Sequence, residues 1–221
     1  MARRLAFYDL DGTLVSSNVV TQYVWYVRRL GSRVRLAKLL LSVPVLLGLE
    51  WYSRRAFNVF FYRSYRGLRR EWLEAQAGGL FDGVFRPNLY PRSRELVAGD
   101  KREGFATVLV TGSLDFALGP LVEFFGFDHV IANRLVFREG VATGEIEPPV
   151  IAGGEKVAAM KRLCRELGAE LAQSKAYSDS LSDLPMLEAV GLPAVVHPGR
   201  RLRRIARERG WPVLDLKRIA R

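Results

Sequence analysis

Two aspartates separated by one apolar residue, Asp9 and Asp11 in "FYDLDGTLV", stand where an apolar run stops. A buried strand ending in two carboxylates, with Gly12 and Thr13 behind them, can offer an oxygen nucleophile and a proton shuttle at one point. A turn built on Asp and Gly is the competing reading of "DLDGT" taken alone. Three more stretches have the same character: "VTGS" closes a second apolar run with Thr111, Gly112 and Ser113, "GGEK" sets Lys156 at the start of a helical pattern, and "SDSLSDLPML" places Asp179 and Asp183 after a third. Each also has a structural reading, as a helix cap or a solvated lysine. Brought to one sheet edge, they make a coherent chemistry. Three carboxylates repel one another without a cation, and an all-oxygen donor set suits Mg²⁺. With Mg²⁺ and Lys156 neutralising a phosphate, Asp9 can attack phosphorus and form an aspartyl-phosphate. Asp11 can protonate the leaving alcohol and later deprotonate the attacking water. Thr111 and the backbone N–H groups around Leu10 and Gly112 would hold the phosphoryl oxygens.

The elements that must position these residues alternate. Residues 4–10 read as a strand, 91–104 as a helix with Pro91 in its first turn and Gly104 past its end, and 105–113 as a second strand. After them come the helix "LDFALGPLVEFFG", the strand "HVIA", a hairpin turning at Glu139-Gly140, and the helix "GEKVAAMKRLCREL". "KAYSD", "PAVVHP" and "WPVLDL" read as strands, with "DLPMLEAVG" and "RRLRRIARERG" as helices between them. Such alternation argues an α/β fold with a parallel sheet covered on both faces, whose ligands bind outside the carboxyl ends of the strands. Between Ser17 and Phe85 the texture changes to apolar, aromatic and arginine residues at helical spacing, with breaks expected at Gly31, Pro44, Gly48 and Gly67. The expected organisation is a catalytic core over 1–15 and 88–221, with a helical cap over 16–87.

At 221 residues the chain can bury a sizeable core, and its charge is unevenly spread. The net charge is +11, with eleven Arg/Lys against the single acid Glu50 in residues 16–70, and nine Arg/Lys against two acids in residues 200–221. Solvated arginine faces explain part of this; an anionic partner is the sharper reading. Neither zinc-ligand spacing nor a ribonucleoprotein signature is present, so no nucleic acid is expected. The opening "MARRLAFYDLDG" is too soon interrupted by Asp for a secretory leader, and the run Leu39–Leu49 is too short for a membrane-spanning helix. A lone Cys164 fits a reducing compartment, and the expected location is cytoplasmic. His129 and His197 lack spaced partners and read as structural or surface residues.

"DLDGT", "VTGS", "GGEK" and "SDSLSDLPML" resemble the four motifs of the haloacid dehalogenase superfamily, and more narrowly its phosphoserine-phosphatase-like branch, family IB. "ANRLVFREGVATGEI" is similar to the hairpin stretch of that branch. The resemblance implies a Rossmann-like core with a helical cap inserted after the first strand. It implies Mg²⁺ held by the Asp9 carboxylate, the Asp11 main-chain carbonyl and Asp179, with Asp183 in support. Asp9 is then the nucleophile, Asp11 the acid and base, and Thr111, Gly112 and Lys156 the phosphate ligands. Two departures concern the substrate. Phosphoserine phosphatases usually carry "DFDST" and a Glu nine residues past the nucleophile, where this chain has Asn18. The cap arginine expected to meet a substrate carboxylate has only Arg63 and Arg66 as nearby candidates.

The sequence therefore points to a phosphomonoesterase acting on a small phosphorylated metabolite or a lipid phosphate. A phosphotransferase, or a non-catalytic phosphate- or membrane-binding module on the same fold, are the alternatives; the latter has no evident need for Asp11. Arg, Lys, Trp and Tyr beside the short apolar stretch 39–49 form the composition of an interfacial segment. Peripheral contact with an anionic membrane, at its inner face, is the corresponding expectation; a self-packed cap is the plainer one.

Overall fold

The computed structural model describes residues 3–217, so the first two and last four residues of the expected core lie outside the described residues. β1 (Arg4–Tyr8), β2 (Phe105–Leu114), β3 (His129–Asn133), β6 (Lys175–Ser178), β7 (Leu192–Val196) and β8 (Val213–Leu214) form one sheet in the order β3-β2-β1-β6-β7-β8. Every pairing in it is parallel. β4 (Leu135–Arg138) and β5 (Val141–Ile146) make a separate antiparallel hairpin that turns through Glu139 and Gly140, both at positive φ. The chain winds outwards from β1 in both directions, so the order reverses between β1 and β6. A crevice opens at such a switch point, beyond the carboxyl ends of the strands.

β1 shows why its apolar run is continuous rather than alternating. Ala6 and Tyr8 join the core cluster on one face of the sheet, and Leu5 and Phe7 the cluster on the other. Both faces are covered, so neither set of side chains meets water. α6 (Ser93–Arg102), α7 (Gly119–Phe125), α8 (Gly154–Leu167), α9 (Leu184–Glu188) and α10 (Arg200–Glu208) supply those covers. Buried Cys164 on α8 packs in the second cluster as a small apolar residue. Two boundaries differ from the sequence expectation. Pro91 lies before α6 rather than in its first turn, and β1 leaves the ladder at Tyr8, although the Asp9 N–H still donates to the Tyr177 carbonyl at 3.0 Å.

Between β1 and α6 run α1 (Val19–Arg29), α2 (Arg33–Tyr52), α3 (Arg54–Phe61), α4 (Arg70–Ala75) and α5 (Ala77–Leu80), followed by a wider π-helical turn (Phe81–Phe85) and a tighter turn (Arg86–Asn88). Asn18 caps α1, accepting from the Val20 and Thr21 N–H groups, and Ser32 and Ser53 cap α2 and α3. Pro44 and Gly48 do not break the helix as expected; both sit inside α2. Pro44 lies on the solvent side, where water can take the Leu40 carbonyl that loses its N–H partner. The helices close around an aromatic nest in which Tyr23, Tyr26, Phe61 and Tyr65 pack edge to face or tilted. Residues 67–70 add to β5 through Gly67 N–H to Ala142 O and Ala142 N–H to Leu68 O, both at 2.8 Å. The helical segment is thus tied to the hairpin by backbone bonds.

α2 is unusual for its position. It is apolar nearly all round, yet only Leu39 and Leu46 are buried. Leu41, Leu47, Trp51 and Tyr52 are 81%, 66%, 91% and 83% exposed. Among the described residues, no helix is long and apolar enough to cross a membrane.

Candidate active site

The sheet delivers the motif residues to one cleft of about 260 Å³ at the ends of β1, β2 and β6. Asp9, Asp11, Gly112, Lys156, Asp179 and Asp183 all line it. Lys156, in the first turn of α8, is buried and sits 2.7 Å from Asp9 Oδ1 and 2.8 Å from Asp183 Oδ2. Ser178 Oγ donates to the same Asp183 oxygen at 2.8 Å. Burial opposes the lysine's charge, but Asp183 and Asp9 outweigh it and hold Lys156 above the ordinary lysine range. Thr13 Oγ1 lies 3.1 Å from Asp9 Oδ2 and 3.2 Å from Asp179 Oδ1, with one proton to share.

Asp11 turns the other way. Ser113 Oγ donates to it at 3.3 Å and Gln22 Nε2 at 3.4 Å, with Gln22 also donating to Ser113 Oγ at 3.0 Å. Burial and the neighbouring Asp9 push Asp11 up to about 7. Burial and Asp9 likewise push Asp179 up to about 7. Asp9 is raised too, by burial first and by Asp183, against the pull of Lys156. The cluster therefore carries more negative charge than its lysine balances.

That excess is the test of whether a cation fits. Among the described residues, no group of three or more His, Cys, Asp or Glu side chains is placed to hold a metal ion. Mg²⁺ does not require one, because it keeps several waters and takes one or two carboxylates plus substrate phosphate. Asp9 and Asp179, bridged by one hydroxyl and both raised by burial first and by neighbouring carboxylates second, are such a pair. Gly12 makes room for it. Its φ is +86°, and a Cβ there would lie 2.2 Å from Asp179 Oδ2. Only glycine lets the Asp179 carboxylate come this close.

The other expected residues are placed differently. Thr111 is fully buried, is not among the residues lining the cleft, and its Oγ1 accepts the Ser113 N–H at 3.0 Å. Gly112 presents its backbone instead, with its carbonyl held by Tyr62 Oη at 2.6 Å and Asn133 Nδ2 at 2.7 Å. Asn18 lines the cleft, but its side-chain oxygen is spent on capping α1. Arg63 and Arg66 lie away from the cleft, against Gly144 of the hairpin, whose Cβ would be 3.0 Å from Arg63 Cα. The arginine that reaches the cleft is Arg54, paired with Glu50 at 2.6 Å, and Asn58 stands one turn further along α3. Glu50, Arg54, Asn58 and Tyr62 recur at every fourth residue, a spacing that groups them on one face without saying which face meets the cleft.

The family model of haloacid dehalogenase-like hydrolases matches residues 6–188. The chain is 31% identical over its whole length to the inhibition of morphological differentiation protein of Streptomyces azureus, covering 81% of that protein. It is 31% identical over 98% of its length to a probable phosphatase of Mycobacterium tuberculosis, covering 77% of it. It is 26% identical over 97% of its length to a histidinol-phosphatase of Neisseria meningitidis, which it covers entirely. Among solved structures, a Bordetella pertussis protein with unknown function superposes with a TM-score of 0.86 at 30% identity, over 98% of this chain and 100% of that one. An apo phosphoserine phosphatase superposes with a TM-score of 0.71 at 18% identity, over 98% of this chain and 94% of that one, a likeness of fold.

Proposed function

This chain belongs to the haloacid dehalogenase-like hydrolases, and we propose that it cleaves phosphomonoesters by way of an aspartyl-phosphate on Asp9. The observation that carries the reading is the lysine-bridged carboxylate cluster at the switch point, with Asp11 set apart from it on Ser113 and Gln22. Asp9 is oriented by Lys156 and Thr13 and attacks phosphorus. Asp11, poised near neutrality by burial, gives its proton to the leaving alcohol and takes one from the water that resolves the acyl phosphate. Lys156 and the Gly112 backbone hold the phosphoryl oxygens, and Thr111 supports that loop from beneath. Asp9, Asp179 and the Asp11 main-chain carbonyl would hold Mg²⁺, with Asp183 in support through Lys156 and Ser178. When bound, the ion supplies positive charge against the phosphoryl oxygens.

Turnover of an aryl phosphate is expected to appear with Mg²⁺ and vanish with a chelator. Mg²⁺ is also expected to raise the melting temperature of the wild type, by linkage to the folded state alone. Asp179→Asn should lose most of that rise. A melting temperature indifferent to Mg²⁺ in both proteins would remove the metal from this reading. Product analysis with an added acceptor alcohol separates hydrolysis from transfer.

The cleft is polar, and Ile151 and Ala152 are its apolar contributors. It suits a phosphate on a small polar alcohol. A lipid phosphate would place its head here and its chains outside, along α2. We further propose that the exposed face of α2 rests on an anionic bilayer. Exposed Arg33, Lys38 and Arg55 flank Leu40, Leu41, Leu47, Trp51 and Tyr52, the arrangement of a helix lying in the interface. A second copy docked about a two-fold axis would set these basic rims against each other. Anionic liposomes should carry the folded protein upward in a density gradient at low salt, and neutral ones should not. Protein left at the bottom with both would end the idea.

A further inference from the structure

Among the described residues, three buried side-chain polar atoms have no hydrogen-bond partner: Ser17 Oγ, Asn58 Nδ2 and Asn58 Oδ1. Both residues line the catalytic cleft, Asn58 with no exposure at all and Ser17 with 4%. Buried polar atoms are almost always paired, so three orphans on one cleft mark a place built for something else. Ser17 enters the helical segment and Asn58 lies within α3, so both reach the core from the insertion's side. Asn58 faces Gly112: a Cβ on that glycine would lie 3.1 Å from Asn58 Nδ2. The carboxamide therefore stands over the backbone loop assigned to the phosphoryl group.

We propose that Asn58, assisted by Ser17, reads the alcohol half of the substrate, and that the substrate is the phosphate ester of an alcohol bearing a hydroxyl on the carbon next to the ester carbon. The inference rests on the phosphomonoesterase reading and deepens it. A phosphate dianion offers acceptors only, so it can satisfy Asn58 Nδ2 and the Ser17 hydroxyl but leaves Asn58 Oδ1 without a donor. The two atoms of one carboxamide share a carbon, so the groups they meet must be close neighbours on the ligand. A phosphoryl or ester oxygen with a donor on the adjacent carbon meets that requirement. Glu50 and Arg54 extend the same face outwards as an ion pair, leaving Asn58 as the uncharged reader nearest the phosphate.

The test uses glycerol 3-phosphate and propyl phosphate, which share a three-carbon chain and differ in hydroxyls. Affinities are read from ligand-dependent melting shifts in chelator, where turnover does not compete, and kcat/KM is read separately with Mg²⁺. Wild type is expected to bind the glycerol ester about tenfold more tightly than the propyl ester, the scale of one satisfied buried partner. Asn58→Leu, close in volume and free of polar atoms, should erase most of that preference. Without ligand it should melt no lower than wild type, because it removes two unpaired polar atoms. Ser17→Ala, the second variant, should narrow the preference by about threefold. A wild type that binds both esters equally, or an Asn58→Leu protein that keeps the preference, overturns the proposal. If the glycerol ester binds preferentially but neither ester is hydrolysed with Mg²⁺, the phosphomonoesterase reading falls and the assignment of Asn58 stands.

Discussion

Asp9→Asn is expected to lower turnover by roughly 10⁴-fold or more, the scale of losing a residue without which the catalytic unit does not work. The same substitution should leave the protein folded, with a melting temperature at or above that of wild type in metal-free buffer. Both expectations follow from one geometry. Asp9 Oδ1 is 2.7 Å from Lys156, while Asp11 is turned to Ser113 and Gln22. The second carboxylate on Lys156, Asp183, is tied down on the same oxygen by Ser178 Oγ at 2.8 Å, so it is not free to take the place of Asp9. Asparagine keeps the shape and loses the nucleophilic charge. The stability expectation comes from burial and, after it, crowding: Asp9, Asp11 and Asp179 are all raised, so the folded state works against their ionisation at neutral pH. Taking away one charge relieves part of that cost, the usual opposition between an active site's function and its stability. More than about one part in a hundred of wild-type activity in purified Asp9→Asn would exclude it as nucleophile.

How much of this was legible in the sequence depends on what places each residue. Asp9, Asp179 and Gly112 sit on or just past strands of a parallel sheet, and apolar runs followed by turn and hydroxyl residues mark such ends from a single sequence. Gly12 was legible as part of "DLDGT", though the reason for it, an Asp179 carboxylate packed on its Cα, comes from a residue far along the chain. The residues on the insertion's wall of the cleft were not legible in this way. Which of Arg54, Arg63 and Arg66 reaches the cleft depends on how α3 is rotated and where it ends. The tight turn Tyr62–Tyr65 carries Arg63 round to the hairpin, while Arg54 and Asn58 stay on the inner face. Pro44 and Gly48 were read as breaks from local preference, and α2 continues through both because that side of it meets solvent. The apolar run 39–49 was read correctly as too short to span a bilayer, yet nothing in its composition shows that only Leu39 and Leu46 are buried.

The opposite change to the same cluster should have the opposite effect on stability. Lys156→Met is expected to destabilise the fold by about 3–5 kcal/mol, the cost of removing one partner from a buried ion pair. For a chain of this length that corresponds to a melting temperature lower by roughly 10 °C. Lys156 is 4% exposed and serves two carboxylates at once, Asp9 at 2.7 Å and Asp183 at 2.8 Å. Methionine fills much of its volume but leaves both without a cation, and Ser178 provides one hydroxyl for Asp183 alone. Turnover should fall as well, because the phosphoryl group loses a positive neighbour and Asp9 loses the contact that orients it. A packing role and a charge role make different predictions for the double variant. If Lys156 chiefly fills space, Asp9→Asn and Lys156→Met add. If it balances charge, removing Asp9 as well leaves Asp183 as the sole orphan of that lysine, and Asp9→Asn stabilises the Lys156→Met protein by more than it stabilises wild type. A double-mutant cycle on melting in metal-free buffer reads this coupling directly. Strict additivity would mean that the ion cluster does not govern the stability of the site, and would weaken with it the case for a metal and a phosphate balanced on the same charges.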